Sequence, residues 1–204
     1  FEPGGLPPFH RGANAGFRCV RNSAALPAEA TAERRQTIRD FAKAKPATDA
    51  VYRIYKGMYS YDRTPLNAKL ESVAQDSTDW RKEKVTFDAA YGKERVTAYL
   101  FLPAHVRPPY QTVVFFPSAR AVDIPSSQTL TDMKFIDYVI QSGRAVVYPV
   151  YKGTYERSAA APGPDTAAGR ETLIQESKDM GRSIDYLETR TEFDRNRIAF
   201  MGES

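Results

Sequence analysis

The period of apolar positions changes repeatedly along the chain, and each change predicts an element. Residues 1–22, FEPGGLPPFHRGANAGFRCVRN, hold no period of two or 3.6 and are punctuated by Gly and Pro, so they read as loop. Ala, Glu and Arg dominate from Pro27 to Lys45, with Ile38 and Phe41 three apart, before Pro46 stops the pattern. Residues 23–48 are therefore expected to form a mostly solvated linker helix. A second helix, Asp49 to Tyr59, carries Val51, Tyr52, Ile54, Tyr55 and Met58. It is expected to pack on the edge of a domain spanning residues 49–204, with an aromatic binding platform as the alternative.

Strand patterns begin at Lys69. Lys69–Gln75, Glu83–Ala89 and Arg95–Leu102 are expected strands, the last two joined by a hairpin turn at Tyr91–Gly92–Lys93–Glu94. Thr112–Phe116 (TVVFF) and Ala145–Val150 (AVVYPV) are continuous apolar runs, as expected of strands buried on both faces. Between them Gln128–Gln141 reads as a helix. Tyr151–Gly169 reads as a long loop. Leu173, Ser177, Met180, Ile184 and Leu187 then recur on one face of a helix over about 171–189. Arg197–Met201 (RIAFM) is a third buried run. Antiparallel first strands, followed by parallel strands with helices on both faces, define an α/β fold.

Composition narrows the chemistry. Apolar residues make up 42% and charged residues 26%, a balance that builds a globular core and rules out disorder. The formal net charge of +4 is spread among both signs and makes no basic stripe, so nucleic acid is not an expected partner. One cysteine, Cys19, forms no internal disulfide and no multi-cysteine metal site. No run approaches the roughly 18 apolar residues of a membrane span. The chain opens at Phe1 without Met and stops at Ser204 directly after an apolar run, and it is read as a slice of a longer protein.

Gly202–Glu203–Ser204 follows the third apolar run without a gap. In a G-x-S-x-G elbow the serine sits on a sharp strand-to-helix turn that exposes its Oγ, and glycines avoid collisions with the neighbouring strand and helix. The bare string carries little: Gly181–Arg182–Ser183 matches it inside a helix. The strand and the two strand–helix units before it make Ser204 the candidate.

On these residues the chain resembles the first half of an α/β-hydrolase domain of the dienelactone hydrolase and acetyl xylan esterase kind. The stretches that carry the likeness are RKEKVTFDAAYGKERVTAYLFLP, QTVVFFPSARA, SGRAVVYPVYKGTYER, KDMGRSIDYLETR and DRNRIAFMGES. The resemblance implies a serine ester hydrolase with Ser204 as acyl-accepting nucleophile, no cofactor and no metal. Its substrate would be a small-molecule or carbohydrate ester. Where that family carries a His-Gly oxyanion motif, this chain has Pro117–Ser118–Ala119–Arg120, so backbone N–H groups of Ser118 and Ala119 are the candidate oxyanion donors. Lys152, Tyr155 and Arg157, in the loop after the second parallel strand, are the candidate substrate contacts, against the plainer reading of solvated loop charges. The triad order is Ser, then Asp or Glu, then His. His105 lies at the entry to TVVFF, about 15–20 Å from its exit at roughly 3.3 Å per residue, and so is expected to be a surface loop residue. These 204 residues alone are therefore expected to be inactive. A non-catalytic regulatory or binding module on the same scaffold is the alternative.

The tail has its own likeness. FHRGANAGFRCVR resembles the closing segment of the formylglycine-generating (sulfatase-modifying factor) family. That resemblance makes residues 1–22 the end of an adjoining domain in a multidomain bacterial protein and Cys19 a structural residue. It also leaves open that the main activity lies upstream.

Overall fold

The computed structural model describes residues 24–28, 32, 40–75, 77–158, 163 and 165–203. Two compact units are present, residues 1–46 and 47–204. In the first, Phe41–Lys43 form a 3-10 turn in which the Asp40 side chain accepts the Ala42 N–H at 3.1 Å. The tail over 1–22, with Cys19, and most of the expected linker helix lie outside the described residues.

In the second unit, helix α1 (Asp49–Met58) is present where the pattern predicts it, started by Thr48, whose hydroxyl accepts the Val51 N–H. Its surroundings differ from expectation. No α1 residue is buried, and Tyr52, Ile54 and Tyr55 stand 59–71% exposed, so the expected packing on a domain edge is not there among the described residues.

Six strands form one mixed sheet: β1 (Lys69–Ala74), β2 (Trp80–Asp88), β3 (Arg95–Pro103), β4 (Tyr110–Phe116), β5 (Ala145–Pro149) and β6 (Phe193–Gly202). Their order across the sheet is β1-β2-β3-β5-β4-β6. The β2–β3 hairpin turns at Gly92 and Lys93, with φ of +62° and +55°. Two left-handed central residues are what a type I′ turn needs to match the twist of its strands. β1, β2, β3 and β5 pair antiparallel in sequence across the sheet, and β4 pairs parallel with both β5 and β6.

The pleat sends alternate side chains to two cores. Val85, Phe87, Val96, Leu100, Val114 and Val147 meet Tyr186 and Leu187 of α4 (Ala167–Glu188) on one face. Phe101, Val113, Phe115 and Tyr148 meet Ile136, Val139 and Ile140 of α3 (Met133–Gln141) on the other. Each such side chain, fully buried, contributes roughly 1.5–3 kcal/mol.

Helix boundaries moved for local reasons. α3 starts at Met133, not at Gln128, because Ser127 and Thr131 hydrogen-bond to Glu156 and Tyr155 instead of continuing a helix. α4 starts at Ala167, earlier than expected, where the Thr166 hydroxyl accepts the Gly169 N–H at 3.0 Å. β6 is also a correction: read as a buried run, it pairs with β4 alone among the described strands, and Phe200 is 59% exposed.

Candidate active site

Parallel register decides what meets at the sheet's carboxyl edge. Val113 lies beside Ala199 and Phe116 beside Gly202, and the Glu203 N–H donates to the Phe116 carbonyl at 3.0 Å. Pro117 and Glu203 thus follow neighbouring strands at the same level. Ser204 itself lies outside the described residues. A Cβ added to Gly202 would meet the Phe200 ring at 3.5 Å and the Phe116 Cβ at 3.9 Å, which is ordinary contact. The expected collision at this glycine is therefore absent among the described residues.

The segment after β4 is tied down. Ser118 is buried, and its N–H donates to Asp132 Oδ2 at 2.9 Å. Its hydroxyl is buried and makes no hydrogen bond among the described residues. Burial works to raise the Asp132 pKa, but the bond from the Ser118 N–H, helped by the Arg120 charge, holds it below the ordinary aspartate value. Ala119 is exposed and opens the single turn α2 (Arg120–Asp123), in which the Val122 N–H donates to the Ala119 carbonyl at 3.0 Å.

Beside it, the loop after β5 is bound into two polar clusters. On the α4 side, Arg157 donates to Asp179 Oδ2 at 2.5 Å, the Val150 carbonyl at 2.8 Å and the Tyr91 hydroxyl at 2.7 Å, and pairs with Glu94 at 3.2 Å. Tyr91 donates to Asp179 Oδ1 at 2.8 Å, and the Lys152 backbone N–H to Oδ2 at 2.9 Å. Lys152 Nζ pairs with Glu94 at 2.7 Å. Asp179 is fully buried, and burial pushes its carboxyl up although Arg157 and its hydrogen bonds pull it down. On the α3 side, Tyr155 is 1% exposed; its hydroxyl lies 2.5 Å from that of Tyr148 and accepts the Thr131 N–H at 2.9 Å. The Ser127 N–H and hydroxyl both donate to Glu156 at 2.7 Å. Arg157 and Tyr155 thus hold the loop's shape through contacts within the chain, while Lys152 keeps a quarter of its side chain exposed.

A cavity of about 200 Å³ opens next to β6 on the α4 face, lined by Phe116, Tyr151, Leu173, Glu176, Met180 and Phe200. Burial, followed by the neighbouring Asp179, raises the Glu176 carboxyl to about 7. His105 is exposed in the β3–β4 loop, at the opposite edge of the sheet, 3.7 Å from Asp79. Among the described residues no group of three or more His, Cys, Asp or Glu is placed to hold a metal ion, and no helix is long and apolar enough to cross a membrane.

Sequence reasoning missed Asp132, Asp179, Tyr91 and Glu94. A signal for part of this existed: Asp179, Arg182 and Asp185 recur three apart on the same helix as the apolar stripe. Gly181–Arg182–Ser183, dismissed as a chance match, proves structural. A Cβ at Gly181 would come within 2.7 Å of the Tyr61 ring, and Arg182, 1% exposed, donates to the Asp88 and Pro65 carbonyls and to Asp185.

No family model and no curated protein matches the sequence. Solved structures do match the fold. A protein assigned as an acetyl xylan esterase from Bacteroides fragilis aligns with a TM-score of 0.59 at 14% identity over 76% of this chain and 46% of its own. Acetyl Xylan Esterase 1 from Thermoanaerobacterium sp. aligns with a TM-score of 0.56 at 15% identity over 79% of this chain and 52% of its own. At these identities the likeness is one of fold. The mixed sheet with helices on both faces is the fold this chain shares with these two structures, and the chain spans about half the length of each of these proteins.

Proposed function

We propose that this chain is part of a serine ester hydrolase, with Ser204 as the nucleophile and a small-molecule or carbohydrate ester as substrate. One observation carries the reading: the register of β4 with β6 brings the Gly202–Glu203 end of one strand beside the Phe116–Pro117 end of the other. In the proposed chemistry a base takes the serine proton and Oγ attacks the ester carbonyl; the tetrahedral intermediate expels the alcohol, which takes up that proton, and water hydrolyses the acyl-enzyme that remains. A backbone N–H of the Ser118–Ala119 segment stabilises the oxyanion. The base and its orienting acid are assigned to residues outside this sequence, because the described histidine, His105, lies at the far edge. Lys152 remains the loop side chain proposed to meet substrate. The string FHRGANAGFRCVR supports an adjoining formylglycine-generating-like domain in the same protein.

Labelling the full-length protein with a fluorophosphonate probe tests the reading. Covalent label on Ser204, lost together with turnover of nitrophenyl acetate in Ser204→Ala, is the expected result; an inert, unlabelled protein overturns it. A second reading, a binding module on the hydrolase scaffold, draws on one observation. The Ser118 N–H, one of two candidate oxyanion donors, is already engaged by Asp132.

A further inference from the structure

We propose that Asp132 is a positioning residue for ester cleavage, which fixes the segment leaving β4 by holding the Ser118 N–H and so assigns the oxyanion donor to Ala119. The inference rests on the hydrolase reading above. Ser118 and Ala119 are the two donors that reading offers, and the structure separates them. Ser118 is buried with its N–H aimed at Asp132 Oδ2, 2.9 Å away, whereas Ala119 is exposed.

Asp132 turns its side chain away from its own helix. It occupies the N-cap position of α3, where an aspartate ordinarily accepts an N–H from the first helical turn, yet its side chain makes no such bond. The carboxylate instead reaches a backbone N–H 14 residues earlier in the chain. The Asp132 backbone adopts φ +63°, a left-handed conformation that aspartate enters more readily than most residues with a Cβ. The carboxylate that a helix start would ordinarily use is thus engaged by the Ser118 N–H. A donor loop held in place before reaction needs no rearrangement as charge develops on the substrate oxygen, and that preorganisation appears in kcat.

The test compares Asp132→Asn, Asp132→Ala and Asp132→Gly in the full-length protein, by kcat and KM on nitrophenyl acetate and by amide hydrogen exchange at Ser118. Asn retains an acceptor for the N–H. Gly removes it while suiting φ +63° better than Asp does. Loss of the acceptor is expected to lower kcat by about 10- to 100-fold in the Ala and Gly variants, with KM within about threefold and faster exchange at Ser118. Asn is expected to stay within about fivefold of the parent on both counts. A merely conformational role for Asp132 would leave Gly as active as the parent, and that result overturns the proposal. So does an Asn variant as impaired as Ala. If Ala fails to fold, the Gly and Asn pair decides. An unmutated protein that neither hydrolyses ester nor takes the probe fails the hydrolase reading first; an active parent with an unimpaired Gly variant fails this proposal alone.

Discussion

β5 and β6 carry the same message in sequence and meet opposite fates in the fold. AVVYP and RIAFM are both short apolar runs, yet Ala145 to Tyr148 are at most 1% exposed while Phe200 is 59% exposed. β5 lies between β3 and β4, with α3 and α4 on its two faces; β6 is hydrogen-bonded to β4 alone among the described strands. An apolar run therefore states how much burial a strand can use. Whether the burial is supplied depends on what the rest of the chain places on either side.

The largest test of that difference is a charge in β5. Val147→Asp would bury a carboxylate between Leu100 and Val114, and a loss of about 5 kcal/mol or more is expected, seen as the disappearance of a cooperative melt. A surviving melt would mean that β5 is not the buried centre described here.

The next largest concerns the polar collar at the end of β5. Asp179→Ala strips from Arg157, whose side chain is 10% exposed, the more buried of its two counter-charges and leaves Glu94, and should cost about 3 kcal/mol in denaturant unfolding. A change below about 1 kcal/mol would place Arg157 in water rather than in a closed network.

A smaller effect is expected where the collar gives way to the cavity beside β6. Glu176 keeps its proton in the folded state up to about pH 7, against 4.5 for its ordinary value, so the folded form binds more protons in between. Its contribution to stability is full below about pH 4.5 and is lost as pH rises towards 7, with the buried Asp179 acting in the same sense. Glu176→Gln should flatten that slope in melts of these 204 residues followed against pH; an unchanged slope would assign it to other groups.

The smallest effect is expected at β6 itself. Phe200→Ser removes an exposed ring and should change the stability of these residues by no more than about 0.5 kcal/mol while reducing self-association in sedimentation. A large destabilisation would show that β6 is covered in solution.

Much of the scaffold was legible because its signals are local. The five-residue apolar runs, the Tyr91–Glu94 turn and the stripe from Leu173 to Leu187 each declare an element within a window shorter than 20 residues, and all are found in the fold. The candidate site was legible only in outline. Ser118 and Ala119 could be named from their place after an apolar run, but not the partner that divides their roles. That partner, Asp132, reads in sequence as one polar residue inside an expected helix. Arg157 read as a candidate substrate contact or a solvated loop charge, because nothing near it announces Asp179 on a helix 22 residues later.

By itself the sequence determined which segments become strand or helix and that the chain builds an α/β sheet, since side-chain period and apolar content act over neighbouring residues. The tertiary structure alone decided that β4 would sit between β5 and β6, so that Phe116 meets Gly202. It also decided which carboxylate would hold Ser118 and which apolar run would stay exposed. Those outcomes depend on contacts between residues far apart in the chain, whose free energy is realised only when folding brings both partners to the same place.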